Sequence, residues 1–174
     1  MAWANRMQVS FDDLSKLGVT AIERIDFAGS NAGHTYILDG GGPRIIDFNV
    51  NETTPEMTWA KDPANRGSVF QGPVEIQARG DHKIPFFIMA TPVYEVSVDE
   101  SHPKATGRLD GVLLLKIDAS RFTGHYCAAI RSGRTGYCWV LNRDGVFLYH
   151  PEREFIGEDA FTARGRRNPV ISFT

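Results

Sequence analysis

The segment Gly111–Ile117, Gly-Val-Leu-Leu-Leu-Lys-Ile, carries a single charge, Lys116. An ammonium set in an apolar run must reach solvent, a partner or a ligand, because burying it alone is costly. A lysine so placed suits a carboxylate-bearing ligand. The other readings are a stem that snorkels out from the strand end, or an ion pair with Asp110 or Asp118. Trp59 and Arg66 offer a second combination. An aromatic wall beside a guanidinium suits an organic acid, although a core tryptophan and a surface arginine fit the same residues. In the segment around residues 86–94, Phe87, Met89 and Tyr94 are read as alternating with Phe86 and Ile88. One set then belongs to the core and the other faces a pocket, with Tyr94 and Met89 as ligand contacts.

Other chemistry finds less support. His125, Cys127, Cys138 and His150 can be written as a zinc set, but their spacing matches no standard pattern and hairpin residues of opposite parity point to opposite faces. His150 reads instead as a strand-end residue whose ring bonds nearby backbone. Cys127 and Cys138 are either bridged or, more plainly, buried free thiols. No nucleophile elbow, P-loop, metalloprotease helix or dinucleotide loop is present. Gly40-Gly41-Gly42 runs into Pro43 and a strand, not into a helix N-terminus, so it is a poor phosphate cradle. Nothing selects Asp110 and Asp118 as an acid–base pair. The expectation is a non-enzyme without cofactor or metal.

The chain has 174 residues, 42% hydrophobic and 23% charged, within the range of one globular domain or one domain and part of a second. A net charge of −2 gives no electrostatic case for nucleic acid. No run approaches the roughly 20 apolar residues of a membrane span, and the N-terminus lacks the apolar core of a signal peptide. The fragment is therefore expected to be soluble.

The elements that must position these residues are legible from pattern. Phe11, Leu14 and Leu17 sit at helical spacing within a helix over 1–17, with Ser10 as a candidate N-cap and Gly18 as a stop. Strands are expected over 20–27, 34–38 and 44–50, separated by turns at Ser30–Gly33 and Asp39–Pro43. Thr54-Pro55 opens a short helix that carries Trp59. Strands follow over 68–78 and 83–98, with a polar loop over 101–108. The strand over 111–117 is hydrophobic enough to lie centrally, covered on both faces. A helix runs from Asp118 to about Arg131, and a hairpin from Tyr137 to Tyr149 turns at Asn142–Gly145 and ends at His150-Pro151. Strands interrupted by one or two short helices give an α+β fold with an antiparallel sheet.

Three segments, in order, carry a family resemblance: Ala90-Thr-Pro-Val-Tyr94, Gly111-Val-Leu through Ile117-Asp118, and Gly133-Arg-Thr-Gly-Tyr137 through His150-Pro151 and Ile156-Gly157. Together they resemble the Cache (PDC-type, PAS-like) extracytoplasmic sensor domains of bacterial receptors, over roughly residues 85–160. The resemblance implies a PAS-like antiparallel sheet with flanking helices, in the extracytoplasmic (periplasmic) part of an inner-membrane receptor. The output would be a histidine kinase, a diguanylate cyclase or a chemoreceptor. It implies a small-molecule ligand, an organic acid or an amino acid, in a pocket lined near Trp59 and Arg66. In amino-acid-sensing relatives a carboxylate near the position of Lys116 grips the ligand amine, so the reversed charge here favours a carboxylate ligand. The fuller Tyr…Arg-x-Trp-Tyr pattern of that subgroup is absent. The domains expected are a helix (1–17), a sensor module (18–120), and a helix plus hairpin (121–174) opening a shortened or truncated second module. The alternative role is a ligand-free interaction module that dimerises through its N-terminal helix.

Overall fold

The computed structural model describes residues 2–27, 32–49, 54–97 and 104–167. The turn expected around Ser30, the residues just before Thr54, the loop at 101–103 and the last seven residues lie outside the described residues. Two compact units are present: Met1–Gly72 with Ile88–Lys116, and Pro73–Phe87 with Ile117–Thr174.

The first unit opens with helix α1 (Ala2–Lys16). It ends where sequence placed the stop, at Gly18, whose φ of +97° favours glycine. It begins far before Ser10, which lies within the helix. Residues 2–9 contain no glycine or proline, so nothing halts helix propagation there. Strands β1 (Val19–Asp26), β2 (Ala32–Asp39) and β3 (Gly42–Asn49) form an antiparallel meander, with Ile22 opposite Leu38 and Asp39 opposite Gly42. Asp39 builds the tight β2–β3 turn: one carboxylate oxygen accepts the Gly41 N–H at 2.9 Å and the other meets Arg44 at 2.7 Å. Gly42 takes the positive φ, +89°.

Helix α2 (Pro55–Lys61) starts as the sequence predicts, with Pro55 in its first turn and the Thr54 hydroxyl accepting the Met57 N–H at 3.4 Å. Asp62 ends it and its side chain caps a following 3₁₀ turn, Pro63–Asn65. The strand expected over 68–78 is two strands, β4 (Phe70–Gln71) and β5 (Glu75–Arg79). Pro73 lies between them and has no N–H for a sheet ladder. Both pair antiparallel with β6 (His82–Val96), Phe70 opposite Ala90 and Glu75 opposite Phe86.

Strand β7 (Ala105–Asp118) is longer than expected and central, as its apolar run requires: the sheet order is β3-β2-β1-β7-β6-β4, with β5 also on β6. The core of the first unit packs Met57 and Ala60 of α2 against Ile25, Ala90, Val112 and Leu114. Met57 is 2% exposed and Val112 fully buried, each worth about 1.5–3 kcal/mol of transfer free energy.

In the second unit, α3 (Ala119–Cys127) is capped by Asp118, which accepts the N–H groups of Ser120 and Arg121 at 2.9 and 3.0 Å. It stops before Arg131, because that guanidinium turns back onto the carbonyls of Ala128 (2.7 Å) and Ile130 (3.0 Å). Arg131 instead belongs to β8 (Arg131–Ser132), which pairs with β9 (Gly136–Tyr137). The hairpin is consequently shorter than predicted: β10 (Val140–Leu141) and β11 (Phe147–Tyr149). Its turn is as read, with Asn142 accepting the N–H groups of Asp144 and Val146 and Gly145 at φ +81°. Helix α4 (Ala160–Arg167) completes a core of Phe147, Phe155, Ala160 and Ala163. The architecture is the predicted α+β one, an antiparallel sheet with flanking helices.

Candidate functional site

Alternation along the strands decides which residues can meet. On β7, Val112 and Leu114 pack against α2, so Lys116 continues their face. On β1, Glu23 continues the face of Ile25. On β6, Ile88 and Ala90 face α2 and Tyr94 shares their parity. Met89 does not: it is five residues from Tyr94 and adjacent to Ala90, so it points to the other side of the sheet. The expected grouping of Met89 and Phe87 with Tyr94 is thereby corrected, since an odd separation along a strand reverses the face.

Arg66 and Tyr94 are brought together. The exposed Arg66 guanidinium stacks 4.8 Å from the half-buried Tyr94 ring centroid. Arg66 follows the 3₁₀ turn after α2, and its N–H bonds the Pro63 carbonyl at 3.2 Å, which fixes where its stem leaves the backbone. Trp59 precedes that turn. Its carbonyl accepts from the Asn65 side chain at 2.8 Å, and its ring lies 5.6 Å from Phe70, at the margin of the core. Helix α2 thus carries Trp59 against the core, and the loop after it presents an exposed guanidinium stacked on Tyr94.

Lys116 stands apart from them. The Thr106 hydroxyl donates to Glu95, so Tyr94 lies beside the start of β7. Lys116 is ten residues further along that strand, about 30 Å at 3.3 Å per residue. Of the two carboxylates expected beside it, Asp110 pairs with Arg24 at 2.8 Å and Asp118 caps α3. Its charge acts on Glu23, a residue sequence analysis passed over. Burial raises the Glu23 pKa above the ordinary carboxylate value, and the Lys116 ammonium, then Arg44, pull it back. The signal was present in the sequence: Ala21-x-Glu23-x-Ile25 puts a carboxylate on the inward face of a strand.

In the second unit His150 behaves as read from sequence. It is 4% exposed and its Nδ1 accepts the Glu152 N–H at 3.0 Å. Cys127 and Cys138 are free thiols, half-buried rather than buried. Burial, first, and the neighbouring Cys138 thiol hold the Cys127 pKa above its usual value. Among the described residues no three metal-ligating side chains converge, and no described helix is long and apolar enough to cross a membrane.

No protein family and no curated protein matches the sequence. Solved structures do match in fold. The extracellular domain of a histidine kinase (mmHK1S-Z3) aligns at a TM-score of 0.53 and 12% identity, over 91% of this chain and 58% of that one. A methyl-accepting chemotaxis protein aligns at 0.52 and 14% identity, over 92% and 63%. A domain of a sensory box/GGDEF family protein from Vibrio parahaemolyticus aligns at 0.53 and 13%, over 97% and 62%. The chain spans about three fifths of the length of these structures. Its fold is that of receptor sensor domains, in agreement with the Cache-type resemblance carried by its motifs.

Proposed function

We propose that the chain is an extracytoplasmic sensor domain of a bacterial transmembrane receptor, binding a small organic acid on the α2 face of its first unit. Arg66 would pair with the ligand carboxylate, Tyr94 would hold the guanidinium from below, and Trp59 would form the side wall. The observation that carries this reading is the exposed Arg66 guanidinium stacked on Tyr94 beside the loop that follows α2. Such a cation is pre-positioned yet still open to a ligand, and stacking leaves its N–H edges available for a bidentate carboxylate.

Lys116 and Met89 have no part in this site, Lys116 because of its distance and Met89 because of its face. The receptor output would be a histidine kinase, a diguanylate cyclase or a chemoreceptor, a reading supported by fold neighbours that include the extracellular domain of a histidine kinase and a methyl-accepting chemotaxis protein. No catalytic role is proposed. Residues 121–174 would begin a second sensor module, shortened or truncated. Ligand closure over the α2 loop would bias the packing of α1 on β1 and β2, and through α1 the receptor beyond. The test is calorimetric titration of the chain with succinate, before and after Arg66→Gln. Saturable binding that the substitution removes supports the site, and binding indifferent to it removes Arg66.

A second reading, dimerisation through α1, has one observation in its favour: Val9 on that helix is 72% exposed. A concentration-dependent mass that Val9→Asp abolishes would support it, and a monomer at all concentrations would remove it.

A further inference from the structure

The second unit contains a cleft of about 410 Å³, within the range that holds a small molecule. Three cationic side chains line it, Lys83, Arg121 and Arg153, together with the imidazoles of His82 and His150. The one lining carboxylate is Asp118. It is committed to its own helix: the same Oδ1 accepts the Ser120 and Arg121 N–H groups and, at 2.7 Å, the Ser120 hydroxyl. Lys83 is held in place by Glu158, 2.8 Å away and outside the lining. Gly157 keeps that arrangement close, since a Cβ there would stand 2.6 Å from the Lys83 Cβ.

A smaller cleft of about 270 Å³ shares Tyr149 and Pro151 with the first and adds Arg131 and Arg134. Across the two linings there are five permanent cations to one carboxylate, in a chain whose net charge is −2. Such a concentration of positive charge in walled clefts focuses an attractive potential on anions.

We infer that this cleft is a second binding site, for a small multivalent oxyanion bearing carboxylate or phosphate groups. The guanidinium groups of Arg121 and Arg153 match either group in geometry. Lys83 supplies a point charge, and the Tyr149–Pro151 wall gives the ligand body an apolar surface. The inference is independent of the organic-acid site in the first unit, because the two share no residue.

The experiment is calorimetric titration of the 174-residue chain carrying Arg66→Gln, with citrate and with inorganic phosphate, at low and high sodium chloride. Saturable binding that weakens with salt is expected. Binding of citrate alone identifies a carboxylate ligand, and binding of phosphate alone a phosphate ligand. Adding Arg121→Gln and Arg153→Gln should weaken the affinity at least tenfold, while Arg79→Gln, outside the lining, should leave it unchanged. Arg153 is exposed, so Arg153→Gln alone, expected to weaken binding severalfold, keeps the test usable if the double variant does not fold. The inference is overturned if neither anion binds, or if binding is the same with and without the cleft arginines.

Discussion

The Arg66 guanidinium lies 4.8 Å from the centre of the Tyr94 ring. At an exposed position such a contact is worth about 0.5–1 kcal/mol, enough to hold a long side chain in one place without hiding its donors. Ordering the arginine beforehand lowers what a ligand must spend in entropy to engage it. Tyr94→Leu should therefore weaken succinate binding severalfold while leaving the fold intact, as read by calorimetry and circular dichroism. Arg66→Lys should fail to restore what Arg66→Gln loses, because an ammonium lacks the planar fork. Full activity of the lysine variant would mean that charge alone matters there.

The Lys116 charge acts on Glu23 in the first unit, opposing the effect of its burial. Lys116→Ala is expected to leave succinate affinity unchanged and to move the Glu23 titration further upward, because the cation that opposes its burial is gone. The pH sign follows from the same shift. Glu23 binds its proton more tightly folded than unfolded, so stability is highest below the unfolded pKa and falls as pH rises through the window up to the folded value. Glu23→Gln should flatten that fall. Carbon-detected NMR of the carboxylate, beside denaturation at several pH values, reads both effects; a Glu23 titration that Lys116→Ala leaves in place contradicts the influence of Lys116 on it.

Asp159 shows the opposite sign. The Thr162 N–H, bonded at 2.8 Å, and the Thr162 hydroxyl hold its pKa below the usual carboxylate value. Its contribution is present above the unfolded pKa and is lost as pH falls through the folded one. Asp159→Ala should lower the melting temperature near neutral pH and much less in acid, where the wild-type carboxylate is already protonated. An equal decrement at both pH values would assign the effect to packing.

Gly111 lies midway along the central strand β7, and a Cβ there would collide with the Ile25 carbonyl oxygen. The obstacle is backbone of the neighbouring strand, so it cannot rotate aside. Gly111→Ala should cost about 1–3 kcal/mol in urea denaturation, the range for overpacking a well-filled interior. A neutral substitution would show that β1 and β7 can separate at this point.

Much of the fold was legible because backbone rules are local. Gly18 stops α1, Thr54-Pro55 starts α2, and Asn142 to Gly145 turns a hairpin, each through a few neighbouring residues. The central place of β7 was legible from its apolar run. The helix over 1–17 was read correctly, but Ser10 was misread as its N-cap because it looks like one and lies in a stretch that nothing interrupts. The end of α3 was missed because Arg131, four residues beyond it, folds back to cap it.

The candidate site was legible only in part. Arg66 and Tyr94 meet because one follows the 3₁₀ turn after α2 and the other lies on β6, while Trp59 is on α2, with its ring against Phe70. Lys116 was drawn into the same group by residue type, but strand length separates it. Met89 was misplaced by a parity that counting from Tyr94 gives directly. The basic cleft of the second unit could not be read from sequence, since Lys83, Arg121 and Arg153 come from three distant segments.

The most direct test of the sensor reading is titration of succinate into the chain carrying Arg121→Gln and Arg153→Gln, with and without Arg66→Gln. Binding that persists in the first chain and falls at least tenfold in the second places the organic acid on Arg66. No binding in the first chain, or equal binding in both, contradicts an organic-acid site on the α2 face.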